Sequence, residues 1–129
     1  MGNNISKFAP ENGFPDLPVI DGVKLSTCNA NISKGKKLDL LLIEAASNST
    51  ICGLFTKSET CSHAVDWSRK NLKRMQNQQK PIALVVNSGN ANVFNGLAGK
   101  TTVRETVLSV AKHLNTSQEN IFVASTGVI

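Results

Sequence analysis

Pro81-Ile82-Ala83-Leu84-Val85-Val86-Asn87-Ser88-Gly89-Asn90-Ala91-Asn92 joins a continuous apolar run to a tract of amides and glycine. Five apolar residues between a proline and an Asn/Gly tract have the length of a strand, and their lack of polar alternation predicts burial on both faces. The tract continues through Val93-Phe94-Asn95-Gly96 and favours tight turns and positive φ. A helix is expected next. Thr102-Val103-Arg104-Glu105 has the spacing of a capping box, and Val103, Val107, Val110, Ala111 and Leu114 recur at helical spacing. Residues 115–120 read as a turn, and 121–124 as a strand running into Ser125-Thr126-Gly127-Val128-Ile129. Strand, amide loop, helix and strand in that order make an α/β arrangement.

On the N-terminal side, residues 62–79 read as a helix. Ser62 serves as its cap, Ala64, Trp67 and Leu72 are interspersed with charge, and Pro81 stops it. Residues 38–43, apolar except for Asp39, and residues 51–55 read as two strands of a hairpin turning at Asn48-Ser49. Residues 1–18, with Pro10, Pro15 and Pro18, read as irregular. No internal repeat and no low-complexity tract is visible.

The chain has 129 residues, 40% hydrophobic and 18% charged, which suits one soluble domain with a modest core. No run approaches eighteen consecutive apolar residues, and the opening residues lack an apolar segment for secretion, so no membrane partner is expected. Met1-Gly2-Asn3-Asn4-Ile5-Ser6 fits an N-myristoylation pattern too short to carry weight. Cys28, Cys52 and Cys61 are odd in number and widely spaced. They fit neither a disulfide framework nor a metal site, and they predict reduced thiols in a cytoplasmic protein with no metal. The four sequons at Asn4, Asn31, Asn48 and Asn115 would matter only in a secreted protein. The net charge is +5. The excess sits partly in Ser33-Lys34-Gly35-Lys36-Lys37 and partly in Arg69, Lys70, Lys73, Arg74 and Lys80. One Trp, no Tyr and no aromatic among those positions leave no stacking platform for single strands, so a solvated helix face is preferred to nucleic-acid binding. Basic charge also attracts small anionic substrates.

Two strand-ending motifs carry candidate chemistry. Asn87, Ser88, Gly89, Asn90 and Asn92 follow a buried strand, a common place for function in α/β sheets. Composition alone slightly favours amides that bond only their own backbone. Ser125-Thr126-Gly127 sets a hydroxyl beside a glycine N–H, two donors able to stabilise an acyl-transfer oxyanion; a plain turn is the simpler reading. Gly96-Leu97-Ala98-Gly99-Lys100-Thr101 is not a phosphate loop, because Phe94 stands where the first glycine must be, and Lys100-Thr101 is expected to open a helix. His63 and His113 are isolated, and the nearness of Cys61 to His63 in sequence is weak evidence for catalysis.

Four segments together resemble one family. Phe14-Pro15-Asp16-Leu17-Pro18-Val19-Ile20-Asp21-Gly22-Val23, Cys52-Gly53-Leu54-Phe55-Thr56-Lys57, Asn87–Asn92 and Ser125–Ile129 are similar, in order, to segments of the ornithine acetyltransferases, the bifunctional glutamate N-acetyltransferase/amino-acid acetyltransferase family. The resemblance runs from about residue 14 to the last residue. It implies a layered α/β sandwich with a mixed sheet, incomplete because the chain ends early. Residues 1–13 would be an arm, and residues 14–129 the N-terminal portion of the α chain. It implies acetyl transfer from N2-acetylornithine to glutamate in arginine biosynthesis. The nucleophile would be a threonine exposed by self-cleavage and lying downstream of this chain, so that the fragment alone is inactive. Thr126 and Gly127 would form the oxyanion hole, with the Asn87–Asn92 loop helping to shape the site. It implies a β chain from the same precursor, an α2β2 assembly, and no cofactor, with acetyl-CoA as an optional acetyl donor. The alternative from charge alone is a basic module for nucleic acid or an anionic ligand.

Overall fold

The computed structural model describes residues 8–10, 13, 15–33, 35, 37–75 and 79–129. The N-myristoylation pattern, the Asn4 sequon and most of the 1–13 arm lie outside them. Four strands form one mixed sheet in the order β1 (Val23–Cys28), β2 (Leu40–Ala45), β3 (Ile82–Asn87), β4 (Ile121–Ser125). The first three run antiparallel, and β4 lies parallel to β3. A parallel neighbour needs a crossover, which α2 (Gly96–His113) supplies. Helix α1 (His63–Arg74) precedes β3, and a single 3₁₀ turn, Gln118–Asn120, precedes β4.

Register explains the core. Leu42, Val85 and Val123 stand side by side across β2, β3 and β4, as do Ala83 and Ile121 across β3 and β4. This row packs under Val103, Val107 and Ala111 of α2 and Ala64 of α1, with Trp67, Val110 and Leu114 half-buried at the margin. On the opposite face Ile82 and Phe122 are buried, and Leu41, Ile43, Leu84, Val86 and Ala124 are half-buried. Burial of β3 is therefore tight on the helix face and, beyond Ile82, partial on the other.

Helix α1 seals the outer edge of β4 with side chains. Ser68 Oγ donates to Val123 O at 2.8 Å and accepts from Val123 N–H at 2.9 Å. Trp67 Nε1 and Asn71 Nδ2 both donate to Ile121 O, at 3.0 and 3.1 Å. An uncovered edge would offer these backbone groups to another strand.

Three expectations need correction. Residues 51–55 form no strand, although Asn48 does turn the chain with φ +68°. Both edges of β2 are already taken, by β1 and β3, so no pairing site remains for a hairpin partner. Strand β1 went unread because all but Val23 of its residues are exposed. Helix α2 starts at Gly96, not near Thr102, whose hydroxyl donates to Ala98 O at 3.0 Å within the helix. The Ser62 cap is as read: its hydroxyl accepts from Val65 N–H at 3.3 Å, although α1 ends at Arg74.

Candidate functional site

Parallel pairing brings the two strand-ending motifs together. Asn87 closes β3 and stands opposite Ser125, which closes β4. The pairing continues beyond both strands. Thr126 N–H donates to Asn87 O at 3.0 Å, Val128 N–H to Gly89 O at 3.3 Å, and Ala91 N–H to Val128 O at 3.0 Å. Residues 87–91 and 125–128 thus form one platform at the C-terminal end of the parallel pair, where α/β sheets commonly bind ligands. Gly127 is what lets the two segments meet. Its φ is +131°, and a Cβ there would strike the Gly89 carbonyl carbon and the Asn90 nitrogen.

The amides hold the loop in shape. Asn87 Nδ2 donates to Asn90 O at 2.8 Å, Asn90 Oδ1 accepts from Asn92 N–H at 2.7 Å, and Asn92 Oδ1 accepts from Asn95 Nδ2 at 2.6 Å. Asn92 is buried with φ +51°, and its Nδ2 donates to Gly99 O at 3.1 Å, tying the loop to the first turn of α2. Side-chain bonding to local backbone is therefore the main occupation of Asn87, Asn90 and Asn92. Ser88 is exposed, and its N–H donates to Asp39 O at 2.9 Å. Thr126 and Gly127 are also exposed. Among the described residues, neither the Thr126 hydroxyl nor the Gly127 N–H has a hydrogen-bond partner.

A cavity of about 250 Å³ lies under the loop, between Asn87, Asn90, Asn92 and Ser125 on one side and Ala98 and Thr102 of α2 on the other. Among the described residues no charged side chain lines it, and neither do Thr126 and Gly127. Alternation along a strand explains the separation: Ser125 faces α2, so the next residue faces the other way. On the platform's flank, Phe94, Val128 and Ile129 are 74%, 76% and 83% exposed, and they border a shallow depression of about 490 Å³ with Ile32 and Val93.

Asp39, the one acid within an apolar stretch, turns out to support this platform. Its buried carboxylate accepts from Ala30 N–H and Ile32 N–H, both at 2.7 Å, and from Ser33 N–H at 2.9 Å, with the Ser33 hydroxyl at 3.2 Å. The loop so gathered abuts Gly89, where a Cβ would lie 2.9 Å from Ser33 Cβ. The Ser33 and Ala30 amides above all, then those of Ile32 and the Ser33 hydroxyl, hold the Asp39 carboxyl below its ordinary value, against the opposing effect of burial. The unfolded chain therefore takes up this proton first as acid is added. The stabilisation is complete above the ordinary value of 3.8 and is lost as pH falls through the lower folded value. Urea midpoints measured from pH 5 downward should fall less steeply in Asp39→Asn than in the wild type. An unchanged slope would remove Asp39 from this role.

The other sequence candidates stay apart. Residues 96–101 are the first turns of α2. His63 opens α1 and His113 closes α2. Cys28 and Cys52 are exposed free thiols, and the half-buried Cys61 sulfur lies 3.5 Å from Arg69 Nη2. No described helix is long and apolar enough to cross a membrane. Asp39, Ser33 and Asn95 were not singled out from the sequence. The only signal for Asp39 was a lone acid in an apolar run.

Residues 24–129 match the model of the ArgJ family. The chain is 43% identical over 129 residues to the arginine biosynthesis bifunctional protein ArgJ of Bradyrhizobium diazoefficiens, covering all of this chain and 30% of that protein. It is 41% identical to the protein of the same name from Nitrobacter winogradskyi, covering 31% of its length. The chain thus spans about a third of these curated relatives. Among solved structures, an ornithine acetyltransferase of Mycobacterium tuberculosis complexed with ornithine is 28% identical with a TM-score of 0.75, over 84% of this chain and 57% of that one. The Bacillus halodurans arginine biosynthesis bifunctional protein ArgJ, 22% identical, shares the fold with a TM-score of 0.72 over 84% of this chain and 55% of that one. The mixed α/β fold expected from the sequence is the fold of these structures, and the chain belongs to the ArgJ family.

Proposed function

We propose that this chain forms the N-terminal part of an acetyltransferase of arginine biosynthesis, moving acetyl from N2-acetylornithine to glutamate through an acetyl-threonine intermediate. Its contribution is the oxyanion hole, made by the Thr126 hydroxyl and the Gly127 N–H. The observation that carries this reading is that both donors are adjacent, exposed and without a partner among the described residues, on a backbone otherwise pinned by the ladder to residues 87–91. Preorganised donors of this kind act without reorganising as charge develops on the acetyl oxygen. In this reading the nucleophilic threonine comes from a segment outside these 129 residues. Its oxygen attacks the acetyl carbonyl, the charge collects on the carbonyl oxygen facing Thr126 and Gly127, and the ornithine amine leaves with a proton. The glutamate amine then takes the acetyl group by the reverse sequence.

Asn87, Gly89, Asn90 and Asn92 position rather than react, since their amides are engaged in holding the platform. The exposed Phe94, Val128 and Ile129 beside it suit a surface covered by the rest of the protein, which would exclude water from the site. The same reading makes residues 1–13 an arm and 14–129 part of the α-chain domain. It adds a β chain from the same precursor, an α2β2 assembly, a cytoplasmic location, and acetyl-CoA as an optional donor.

The test joins this chain to the remaining length of the Bradyrhizobium relative and measures transfer from acetylornithine to glutamate. Thr126→Val keeps the shape and removes the hydroxyl. It should lower kcat by about 10²–10³, the usual cost of one oxyanion donor, with stability unchanged. A kcat within a factor of three of the parent would sink the assignment.

A further inference from the structure

The two helices leave a second cleft between them. It is about 440 Å³ in volume and is walled by α1 and α2. Residues 66, 70 and 74 of α1 and residues 100 and 104 of α2 recur at the spacing that puts side chains on one helix face. They bring Lys70 and Arg74 on one wall opposite Lys100 and Arg104 on the other. Neighbouring helices usually meet through apolar stripes, so cations on both walls are a departure.

The counter-charge is too small. Among the described residues Asp66 is the one acid lining the cleft, and it is engaged with Lys70 at 2.6 Å and with Arg69 at 3.5 Å. Arg74, Lys100 and Arg104 have no ion pair among the described residues. Trp67 forms part of the same wall, with its ring nitrogen held by Ile121 O at 3.0 Å, so the ring is fixed in place.

We infer that this cleft between α1 and α2 binds a small phosphate-bearing polyanion, with Arg74, Lys100 and Arg104 as its main contacts. Each cation is solvent-exposed, and a single exposed pair is worth little at physiological salt. A monoanion would therefore bind weakly, whereas several phosphoryl groups engage both walls at once. Arginine forks match phosphate oxygens in pairs. The cleft's volume falls in the range of small-molecule sites, and one aromatic ring makes no platform for successive bases, which favours a compact ligand over a nucleic-acid strand. In the sequence Lys70 and Arg74 stand out within the basic tract, whereas Lys100 and Arg104 read only as the opening of the second helix. The inference does not depend on the acetyl-transfer reading, as the platform and the cleft share no residue.

Trp67 is the only tryptophan of the chain, so its fluorescence reports on the cleft directly. The 129-residue protein is titrated with sodium tripolyphosphate and, separately, with inorganic phosphate at constant ionic strength. A saturable change with tripolyphosphate, at least about tenfold tighter than with phosphate, is expected. The double variant Lys100→Glu/Arg104→Glu should weaken tripolyphosphate binding at least about tenfold. Lys80→Glu/Lys112→Glu changes the net charge equally outside the cleft and should leave binding within about twofold. Arg74→Gln on the opposite wall repeats the test with a milder change, and urea midpoints verify folding of each variant. No saturable change in the wild type, or equal weakening in both double variants, would overturn the inference. So would tighter binding of a single-stranded oligonucleotide than of tripolyphosphate through the same residues.

Discussion

Gly127→Ala should lose about 2–6 kcal/mol of stability, combining a strained positive φ at about 1–3 kcal/mol with overpacking at about 1–3 kcal/mol. The position has φ +131°, a region L side chains rarely adopt. All three atoms that the new methyl would meet are backbone, of Gly89 and Asn90, so no rotamer change relieves the contact. Relief requires separating residues 125–128 from residues 87–91. That movement breaks the Val128-to-Gly89 and Ala91-to-Val128 hydrogen bonds. Urea unfolding should show the lower midpoint, and hydrogen exchange should show faster Ala91 and Val128 amides than in the wild type. Thr126→Val is the contrast, since Thr126 is exposed and its hydroxyl bonds nothing described. The pair separates two roles at adjacent positions: Gly127 lets the platform close, and the Thr126 side chain takes no part in holding it. An unchanged midpoint and unchanged exchange in Gly127→Ala would show that the two segments are not locked together.

Parts of this arrangement were readable from residues alone, and the unread parts share a cause. Strands β3 and β4 and the core stripe Val103–Val107–Ala111 were legible because local apolar patterns report burial directly. The Ser62 cap was legible because its bond spans only three residues. Strand β1 was not, because an edge strand exposed from Lys24 to Cys28 has no buried face to leave a pattern. The start of α2 was misplaced for a different reason. Its first turn is held by Asn92, whose Nδ2 reaches Gly99 O and whose Oδ1 accepts from Asn95, and Asn95 itself makes no side-chain cap bond of the kind sequence rules describe. The two strand-ending motifs are each visible in the sequence, but their meeting depends on the Asn87–Ser125 register, a contact between residues 38 positions apart. Asp39 was passed over because its role needs four donors from residues 30–33, which only the folded turn presents together. Lys100 and Arg104 read only as the start of a helix, because their nearness to Lys70 and Arg74 exists only once the two helices are packed together.

Ser68→Ala should cost about 2–6 kcal/mol, because it strands two buried backbone groups at about 1–3 kcal/mol each. Ser68 is 5% exposed and Val123 is 7% exposed, so water cannot easily replace the hydroxyl. One oxygen presently satisfies both the N–H and the C=O of Val123. Trp67→Phe is the informative comparison. It removes a donor from Ile121 O, but that oxygen keeps Asn71 Nδ2 at 3.1 Å. Its loss should be less than half that of Ser68→Ala, although the tryptophan is the larger side chain. Ranking by side-chain volume would give the reverse order, so the two urea midpoints decide between edge satisfaction and packing as the main work of α1. The result also bears on the site, because β4 runs directly into Thr126 and Gly127. If the edge of β4 is held by Ser68, loosening it should speed exchange of the Thr126 amide, which donates to Asn87 O at 3.0 Å. Equal losses in the two variants, with Thr126 exchange unaltered, would mean that α1 stabilises the sheet by covering area and that the end of β4 is positioned by β3 alone.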